Sequence, residues 1–377
     1  MNILCLNKIS NVGLNALPKD SSIVEDINAA DAILVRSANM LETDLPSNVL
    51  CVGRAGAGVN NIPLEKYALN GVVVFNTPGA NANAVKELTI LGMLLASRDI
   101  KGSMKWVEEN KNDELINKTM EKAKSKFAGN EILGKTVGII GLGAIGALVA
   151  QACASLGMNV IAVEPSQATI ERNKHILPNN FRCVSYDELY KEADFISIHV
   201  PLLDATRGMI NKDAFSKMKN GVVLINCARD AIVNDDDLKE AIESGIVKNY
   251  VTDFPNHKTA NMDGVIAISH LGASTEEAED NCALMAVNQI VDYIENGNII
   301  NSVNFPRLSL GKKEGKRLLV LYEGDNSEEI LDEVRKHTNV SKMVSGVKGK
   351  FGASLFEIDN EFDLNSIKNI SLKVRLI

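Results

Sequence analysis

Short apolar runs alternate with amphipathic stretches along the first part of the chain, a pattern typical of an α/β domain. The apolar runs that predict strands in this part are residues 3–6, 32–36, 49–53 and 72–76. Leucines at helical spacing then predict one long helix over residues 84–109. The lysine-rich stretch that follows, residues 111–126, is interpreted as a solvated connection or an oligomer arm.

Residues 130–270 show the clearest alternation of apolar strands and helical stretches. The strands predicted here are residues 136–140, 159–163, 194–199, 222–226, 248–252 and 265–268. Strands separated by helices in this way predict a doubly wound parallel sheet. A helix over residues 276–295 should follow, because acidic residues crowd its start and Asn296-Gly297-Asn298 ends it.

The end of the chain has a pattern of its own. Residues 309–315 are polar and contain glycine, so they predict a linker. The segments beyond it are predicted as strand, helix, strand, strand, short helix and strand. Because βαββαβ is the order of a ferredoxin-like module, we expect that fold for residues 316–377.

The whole chain is therefore predicted to be α/β, with two doubly wound parallel-sheet domains and a C-terminal ferredoxin-like domain. Residues 1–97 together with 273–306 are expected to form a discontinuous substrate-binding domain. Residues 98–272 are expected to form a nucleotide-binding Rossmann domain. The length of 377 residues is sufficient for this number of separate cores.

Composition excludes several classes of function. The net charge of −8 argues against general nucleic-acid binding, and no apolar run is long enough to span a membrane. Residues 1–6 lack the basic region of a signal peptide, so they are interpreted as a first strand. The six cysteines have neither metal-binding nor redox spacing. We therefore expect reduced thiols, no metal site and a cytoplasmic protein.

A glycine motif is the most specific signal in the sequence. Gly141, Gly143 and Gly146 lie between an apolar strand and a helical stretch, and a second strand ends at Glu164. This is the dinucleotide-binding motif in its required context, with a helix N-terminus for the pyrophosphate. Glu164 can accept hydrogen bonds from a ribose and would repel a 2′-phosphate, so we predict NAD as the cofactor. The alternative is a glycine-rich turn that binds nothing.

Polar side chains follow the predicted strands at the edge where this cofactor would lie. His199, Arg229, Asp253 and His270 each come at or just after the end of a strand. Histidine titrates near neutral pH and suits acid/base chemistry, whereas arginine can grip a carboxylate with two hydrogen bonds. We therefore predict His270 and Arg229 as the catalytic residues. A purely structural role for either side chain is the alternative.

Several motifs resemble those of the D-2-hydroxyacid dehydrogenase family. The resemblance runs almost continuously over residues 1–306 and rests on six stretches, which are residues 35–37, 53–59, 76–81, 141–146, 226–233 and 270–275. It implies that His270 exchanges a proton with the substrate C2 oxygen. It also implies that Arg229 binds the substrate carboxylate and carbonyl oxygen.

The same resemblance implies the remaining ligand contacts. The residues expected at the cofactor are Gly141, Gly143, Ala144, Ile145, Gly146, Glu164, His199, Pro201, Cys227, Asp253 and Gly272. The residues expected at the distal phosphate of a substrate are Arg36, Ser37, Arg54, Ala55, Gly56 and Asn81. The implied substrate is a small molecule, 3-phosphoglycerate, and the implied assembly is a homodimer or homotetramer. The alternatives are a reductase of another 2-oxo acid, such as glyoxylate or 2-oxoglutarate, and a non-catalytic NAD(H) sensor.

Three positions depart from the family pattern. The family pairs its catalytic histidine with a glutamate, and Lys258 lies near that place here, which leaves Asp253 and Asp263 as the alternative acids. Ser269 replaces the proline that usually precedes the histidine. The C-terminal module resembles an ACT domain, but residues 322–327 lack the proline of the usual effector loop and contain two acidic residues. We therefore expect this module to have a packing role, without feedback by serine.

Overall fold

Three β-sheets organise the protein, and the computed structural model describes all residues from 1 to 377. The chain divides into two compact units. Unit 1 comprises Met1–Asn81 and Glu276–Ile377, and unit 2 comprises Ala82–Thr275. None of the helices is both long and apolar enough to cross a bilayer.

The first sheet belongs to unit 1 and is entirely parallel, with the order β2-β1-β3-β4-β5. Its strands are β1 (Asn2–Cys5), β2 (Ser22–Val24), β3 (Ala32–Val35), β4 (Cys51–Arg54) and β5 (Val73–Phe75). Two helices lie between them, α1 (Asn11–Leu14) and α2 (Leu64–Leu69). The sequence predicts four of these strands, whereas β2 is a short edge strand with partly polar, exposed residues.

The second sheet forms unit 2, and it is parallel with the order β12-β11-β10-β9-β6-β7-β8. The unit begins with helices α3 (Ala82–Ser97), α4 (Ile100–Glu109) and α5 (Ile116–Ala123). The strands are β6 (Thr136–Ile140), β7 (Asn159–Val163), β8 (Arg182–Cys183), β9 (Phe195–Ile198), β10 (Val222–Asn226), β11 (Val247–Thr252) and β12 (Val265–Ala267). The helices between them are α6 (Ala144–Ser155), α7 (Gln167–Asn173), α8 (Tyr186–Glu192), α9 (Lys212–Lys217) and α10 (Asp235–Glu243).

This strand order reverses between β6 and β9, which is the point where doubly wound sheets bind nucleotides. The predicted Rossmann fold is therefore confirmed. The helix predicted over residues 84–109 is wrong as a single element, because it is divided between α3 and α4. Asp99 causes the division, since its side chain accepts a hydrogen bond from the Gly102 N–H at 2.8 Å and caps the start of α4.

Helix α3 packs within unit 2, although the sequence analysis groups residues 82–97 with the substrate domain. A Cβ atom at Gly92 would lie 3.0 Å from a Val251 methyl carbon, so the helix passes close to β11. Met93 is fully buried, with its sulfur 3.7 Å from the Cys153 sulfur on α6. These close approaches explain why unit 2 begins at Ala82.

The third sheet returns the chain to unit 1 after the long helix α11 (Glu276–Asn296). Its elements are β13 (Lys316–Glu323), α12 (Ser327–His337), β14 (Val340–Lys348), β15 (Phe351–Ile358) and β16 (Lys373–Leu376), with a 3₁₀ turn over Leu364–Ile370. The strand order β14-β15-β13-β16 with antiparallel pairing confirms the predicted ferredoxin-like module.

Both faces of this antiparallel sheet are covered. Val320 and Phe356 lie in one apolar core with Ile330 of α12. Leu319 and Leu355 lie in another core, together with buried residues of α11 and the first sheet. The module therefore belongs to unit 1 because it completes the apolar core of that unit.

Arg317 fixes the segment that joins α11 to the module. Its side chain is fully buried, and its guanidinium donates to the carbonyls of Asn296 and Gly311 at 2.8 Å. It also donates to the carbonyls of Leu310 and Lys312 at 3.1 Å. A guanidinium has five N–H donors and can therefore bind several carbonyls at once. The segment predicted as a linker is thus fixed by a buried side chain.

Candidate functional site

The glycine turn after β6 has the geometry that its sequence predicts. Gly141 has a φ of 93°, and a Cβ atom there would lie 2.8 Å from the His199 carbonyl oxygen. A Cβ at Gly146 would lie 1.9 Å from the Gly141 oxygen, so with any other residue at this position α6 could not pack so close to the turn. Open space surrounds the corresponding point at Gly143. Two glycines are therefore required by packing, and the third leaves room for a pyrophosphate at the start of α6.

Glu164 braces this turn from the end of β7. One carboxylate oxygen accepts from the Leu142 N–H and the other from the Ser166 N–H, each at 2.9 Å. Beside it lies a pocket of about 360 Å³, which Cys183 and Tyr186 also line. A carboxylate retains further lone pairs when each oxygen accepts one bond, so Glu164 can still receive a ribose hydroxyl.

His199 lies under the glycine turn and is neutral. Its Nε2 atom is 2.8 Å from the Ser197 hydroxyl. Burial lowers the pKa of His199 to about 4. The imidazole therefore supports the turn as an uncharged group and does not supply a positive charge to the cofactor phosphates.

The two predicted catalytic residues converge on one aromatic ring. The guanidinium carbon of Arg229 lies 5.1 Å from the centroid of the Phe254 ring. The ring centroids of Phe254 and His270 are 4.2 Å apart, with an interplanar angle of 44°. Burial lowers the pKa of Arg229, but arginine stays charged at neutral pH. The structure thus brings a fixed cation and a titratable imidazole to the carboxyl edge of the same sheet.

Asn226 holds the loop that carries Arg229. Its side-chain oxygen accepts from the N–H groups of Ala228 and Arg229, at 3.1 and 3.3 Å. Its side-chain nitrogen donates to the Arg229 carbonyl at 2.8 Å and to the Tyr250 hydroxyl at 3.0 Å. The side chain is fully buried, so it fixes the loop to the end of β10.

Asp253 carries an unused acceptor beside these groups. One carboxylate oxygen accepts from the Gly272 N–H at 2.9 Å, and the other is buried without a hydrogen-bond partner. Burial raises the pKa of Asp253 and raises that of neighbouring Cys227 to about 12. A buried acceptor without a donor is costly, and the amide group of a nicotinamide would supply the donor. NAD therefore fits this edge at both its pyrophosphate and its nicotinamide.

Lys258 has its own partner on α10. Its ammonium lies 2.8 and 3.0 Å from the two carboxylate oxygens of Asp236. Asn256 donates to Asp235 at 2.8 Å, which fixes the same loop to the start of α10. The residue near the place of the family glutamate therefore anchors a loop.

The predicted substrate residues lie in unit 1, at the ends of β3 and β4 and, for Asn81, after β5. Asn7 uses one oxygen to accept from the N–H groups of Arg36, Ser37 and Ala38, at 2.9, 3.0 and 3.0 Å. The Arg36 guanidinium lies 2.7 Å from the Glu279 carboxylate at the start of α11. These two contacts orient Arg36, and the sequence analysis singles out neither Asn7 nor Glu279.

Arg54 folds against its own loop. The Arg54 guanidinium lies 1.8 Å from the place that a Cβ atom at residue 56 would take, and the φ of 146° at Gly56 also favours glycine. The N–H groups of Ala55 and Gly56 donate to the carbonyls of Val35 and Arg54. The backbone N–H groups of Ala55 and Gly56, predicted to contact the substrate, are therefore already used within the unit.

Two buried acceptors follow β5 in the same unit. The side-chain oxygen of Asn81 is buried without a hydrogen-bond partner, and the fully buried Thr77 hydroxyl has only the Cys282 thiol beside it. Unsatisfied buried polar atoms are rare and often mark ligand sites. Thr77 is not among the predicted site residues, although its position directly after a predicted strand could have indicated a ligand contact.

Comparison with known proteins identifies the family. A profile described as the D-isomer specific 2-hydroxyacid dehydrogenase NAD-binding domain matches residues 90–272. The chain is 36% identical over 288 residues to the hydroxypyruvate reductase of Thermotoga maritima, covering 73% of this chain and 88% of that protein. The chain belongs to the D-isomer-specific 2-hydroxyacid dehydrogenase family. The predicted cofactor, NAD, is confirmed by its NAD-binding domain.

Two further relatives carry a more specific name. The chain is 34% identical over 296 residues to the D-3-phosphoglycerate dehydrogenase of Archaeoglobus fulgidus, covering 76% of this chain and 54% of that protein. The NAD⁺-bound 3-phosphoglycerate dehydrogenase of Entamoeba histolytica has a similar structure, with a TM-score of 0.64 and 26% identity. That match covers 82% of this chain and 99% of the other. The chain thus spans little more than half of the archaeal relative.

Proposed function

We propose that this family member is an NAD-dependent D-3-phosphoglycerate dehydrogenase that supplies serine biosynthesis. It would oxidise 3-phospho-D-glycerate to 3-phosphohydroxypyruvate. The observation that carries the proposal is the convergence of Arg229 and His270 on the Phe254 ring, beside the unused acceptor of Asp253. The names of the archaeal and amoebal relatives support the choice of substrate.

Each of these residues has a defined task in the reaction. Bound NAD would supply the acceptor for the hydride that leaves C2 of the substrate. His270 would take the proton of the C2 hydroxyl, because a neutral imidazole is a suitable base near pH 7. Arg229 would hold the substrate carboxylate with two parallel hydrogen bonds. Glu164 and Asp253 would hold the two ends of the cofactor.

The phosphate is assigned to the guanidinium groups of unit 1. Arg36 and Arg54 are the cations at the ends of β3 and β4, and guanidinium groups match phosphate geometry. Glu279 would orient Arg36 through their 2.7 Å ion pair. Asn81 adds a buried oxygen that has no hydrogen-bond partner in the protein, and Thr77 adds a buried hydroxyl.

A reductase of a non-phosphorylated 2-oxo acid is the second candidate. The hydroxypyruvate reductase of Thermotoga maritima supports it, because this chain covers 88% of that protein. The two candidates differ in their need for Arg54. The Arg54→Gln variant should raise KM for 3-phosphoglycerate by about 100-fold, since it removes a charge-assisted contact to phosphate. KM for glyoxylate or hydroxypyruvate should change by less than about threefold.

The test is a steady-state assay of NADH formation with both substrate classes and with NAD and NADP. Arg307→Gln replaces an exposed arginine of the same unit and serves as the matched control. His270→Ala should abolish turnover. Equal effects of Arg54→Gln on phosphorylated and non-phosphorylated substrates would favour the reductase. NAD(H) binding without any turnover would favour a non-catalytic sensor and contradict both enzymes.

We also propose that the protein acts in the cytoplasm as a homodimer or homotetramer. None of the six cysteines forms a disulfide, and four of them are buried, which suits a reducing compartment. Exposed apolar side chains lie on α3, α4 and α5, at Leu91, Leu94, Met104, Val107 and Met120. Exposed apolar residues on neighbouring helices support self-association.

A further inference from the structure

The loop after β11 contacts both predicted catalytic side chains through one residue, Phe254. Phe254 packs against the His270 ring at 4.2 Å and lies 5.1 Å from the Arg229 guanidinium carbon. It directly follows Asp253, which accepts from the Gly272 N–H. Two consecutive residues therefore hold the His270 loop at two points, one through a ring and one through a carboxylate.

The backbone around Phe254 is itself fixed. The Phe254 N–H donates to the Thr252 hydroxyl at 3.0 Å, and Thr252 is fully buried. Pro255 restricts the backbone on the other side. Asn256 and Lys258 then tie the loop to two aspartates at the start of α10. The aromatic ring is therefore presented from a rigid segment.

Packing of the apolar core does not account for this ring. Phe254 is only half-buried, and its aromatic and cationic contacts are with the side chains proposed for catalysis. An aromatic face attracts a guanidinium within about 6 Å and pairs favourably with another ring. One side chain can thus restrict the orientations of an arginine and a histidine together.

We propose that Phe254 is a positioning residue that orients both His270 and Arg229 toward the substrate. This inference rests on the proposed dehydrogenase function and deepens it. Phe254 acts through its neighbours and does not itself exchange protons or hydride.

The test compares Phe254→Leu and Phe254→Tyr in the full chain. Leucine keeps much of the volume but loses the aromatic face, so kcat should fall roughly 10- to 100-fold, as for a misplaced catalytic group. The dissociation constant for NAD and the thermal midpoint should stay close to wild type. Tyrosine keeps the ring and should restore kcat to within about threefold. Phe215→Leu on α9 is the control, because it truncates a phenylalanine that is buried in an apolar core of unit 2.

A second measurement is independent of turnover. The Phe254 ring should shift the His270 ring protons upfield in the NMR spectrum, and His270→Gln identifies them among the five histidines. Phe254→Leu should abolish this shift, and Phe254→Tyr should retain it. Failure of wild type to oxidise or reduce any acid would contradict the proposed function, and the NMR comparison would then decide the positioning role alone.

Three results would overturn the inference. The first is an unchanged kcat in Phe254→Leu. The second is a parallel loss of kcat, NAD affinity and thermal midpoint that tyrosine does not restore, which would indicate a structural role. The third is the same His270 proton shift with leucine as with phenylalanine at residue 254.

Discussion

At the scale of single residues, burial shifts the pKa of several polar groups near the cofactor edge. His199 is held neutral, with its Nε2 atom 2.8 Å from the Ser197 hydroxyl. Asp253 keeps an oxygen without a donor. A buried acceptor without a donor lowers the free energy of unfolding of the unliganded protein. A ligand that supplies the donor restores that stability on binding.

His199 should make folding stability fall in mild acid. Burial lowers its pKa to about 4 in the folded state, whereas the unfolded chain has the ordinary value of about 6.5. Between these values only the unfolded state binds the proton, so the free energy of unfolding decreases as pH falls from about 6.5 to about 4. At pH 5 the loss should be at most about 2 kcal/mol.

Urea unfolding at pH 7.5 and pH 5 measures this contribution. The His199→Asn variant should lose less stability between the two pH values than wild type does. His257→Asn, which changes an exposed histidine, is the control and should behave as wild type. The same pH dependence in wild type and His199→Asn would show that other groups cause the loss.

At the scale of elements, helix α11 has acidic residues at its start and arginine side chains bound to carbonyls at its end. Its first turn carries Glu276, Glu277 and Glu279, and the last of these pairs with Arg36. Near its last turn, Arg317 donates to the Asn296 carbonyl and Arg375 donates to the Ile294 carbonyl. Acidic groups at the start and cations at the end both stabilise a helix dipole. The C-terminal module thus supplies the C-terminal cap of α11.

Replacing Arg317 tests the importance of this cap. Arg317→Met should lower the free energy of unfolding by about 3–5 kcal/mol, because it leaves four carbonyls without their donor and removes one of the two cations beside the nearly buried Glu357. Arg317→Lys should be intermediate, since one ammonium cannot reach four carbonyls. Thermal and urea unfolding measure the effect, with Arg307→Met as the exposed control. A loss below about 1 kcal/mol would contradict the structural account.

Elements with a strong apolar pattern could be predicted from the sequence, and short or polar ones could not. The strands around the glycine turn were correct because buried parallel strands are continuous apolar runs. Strand β8 is not predicted from the sequence, because it has only two residues and both are exposed. The division between α3 and α4 depends on a capping side chain inside an otherwise helical pattern.

The site shows the same limit. Strand ends led to Arg229 and His270, because parallel strands place their carboxyl ends at one edge. Glu279 could not be found in this way, since its ion pair with Arg36 joins residues far apart in the chain. The role of Phe254 could not be predicted either, because an aromatic residue after a strand indicates no function until its neighbours in space are known.

At the scale of the whole molecule, the C-terminal module is part of unit 1, and unit 2 contains none of it. Removing residues 309–377 would expose the apolar side chains of α11 and the first sheet that pack against β13 and β15. The truncated chain should therefore show a lower thermal midpoint for unit 1 and a tendency to aggregate. Unit 2 contains none of the removed residues, so its affinity for NAD should be unchanged.

Calorimetry and NAD titration of the truncated and full chains test this expectation. An exposed-surface control is Leu376→Ser, which changes a residue that is 42% exposed in the same module. An unchanged midpoint after truncation would mean that the module is an independent domain. A large loss of NAD affinity would mean that unit 2 depends on it.

The discontinuity of unit 1 has a consequence for how the protein is made on the ribosome. The first 81 residues leave the exit tunnel before any of the helix that covers their sheet has been translated. At about 5–20 residues per second, that helix and the rest of its unit follow roughly 10–60 s later. Residues 82–275 are contiguous and can fold in the interval. The nascent N-terminal segment must therefore wait with the α11 face of its sheet uncovered, and that face is open to binding by a chaperone during synthesis.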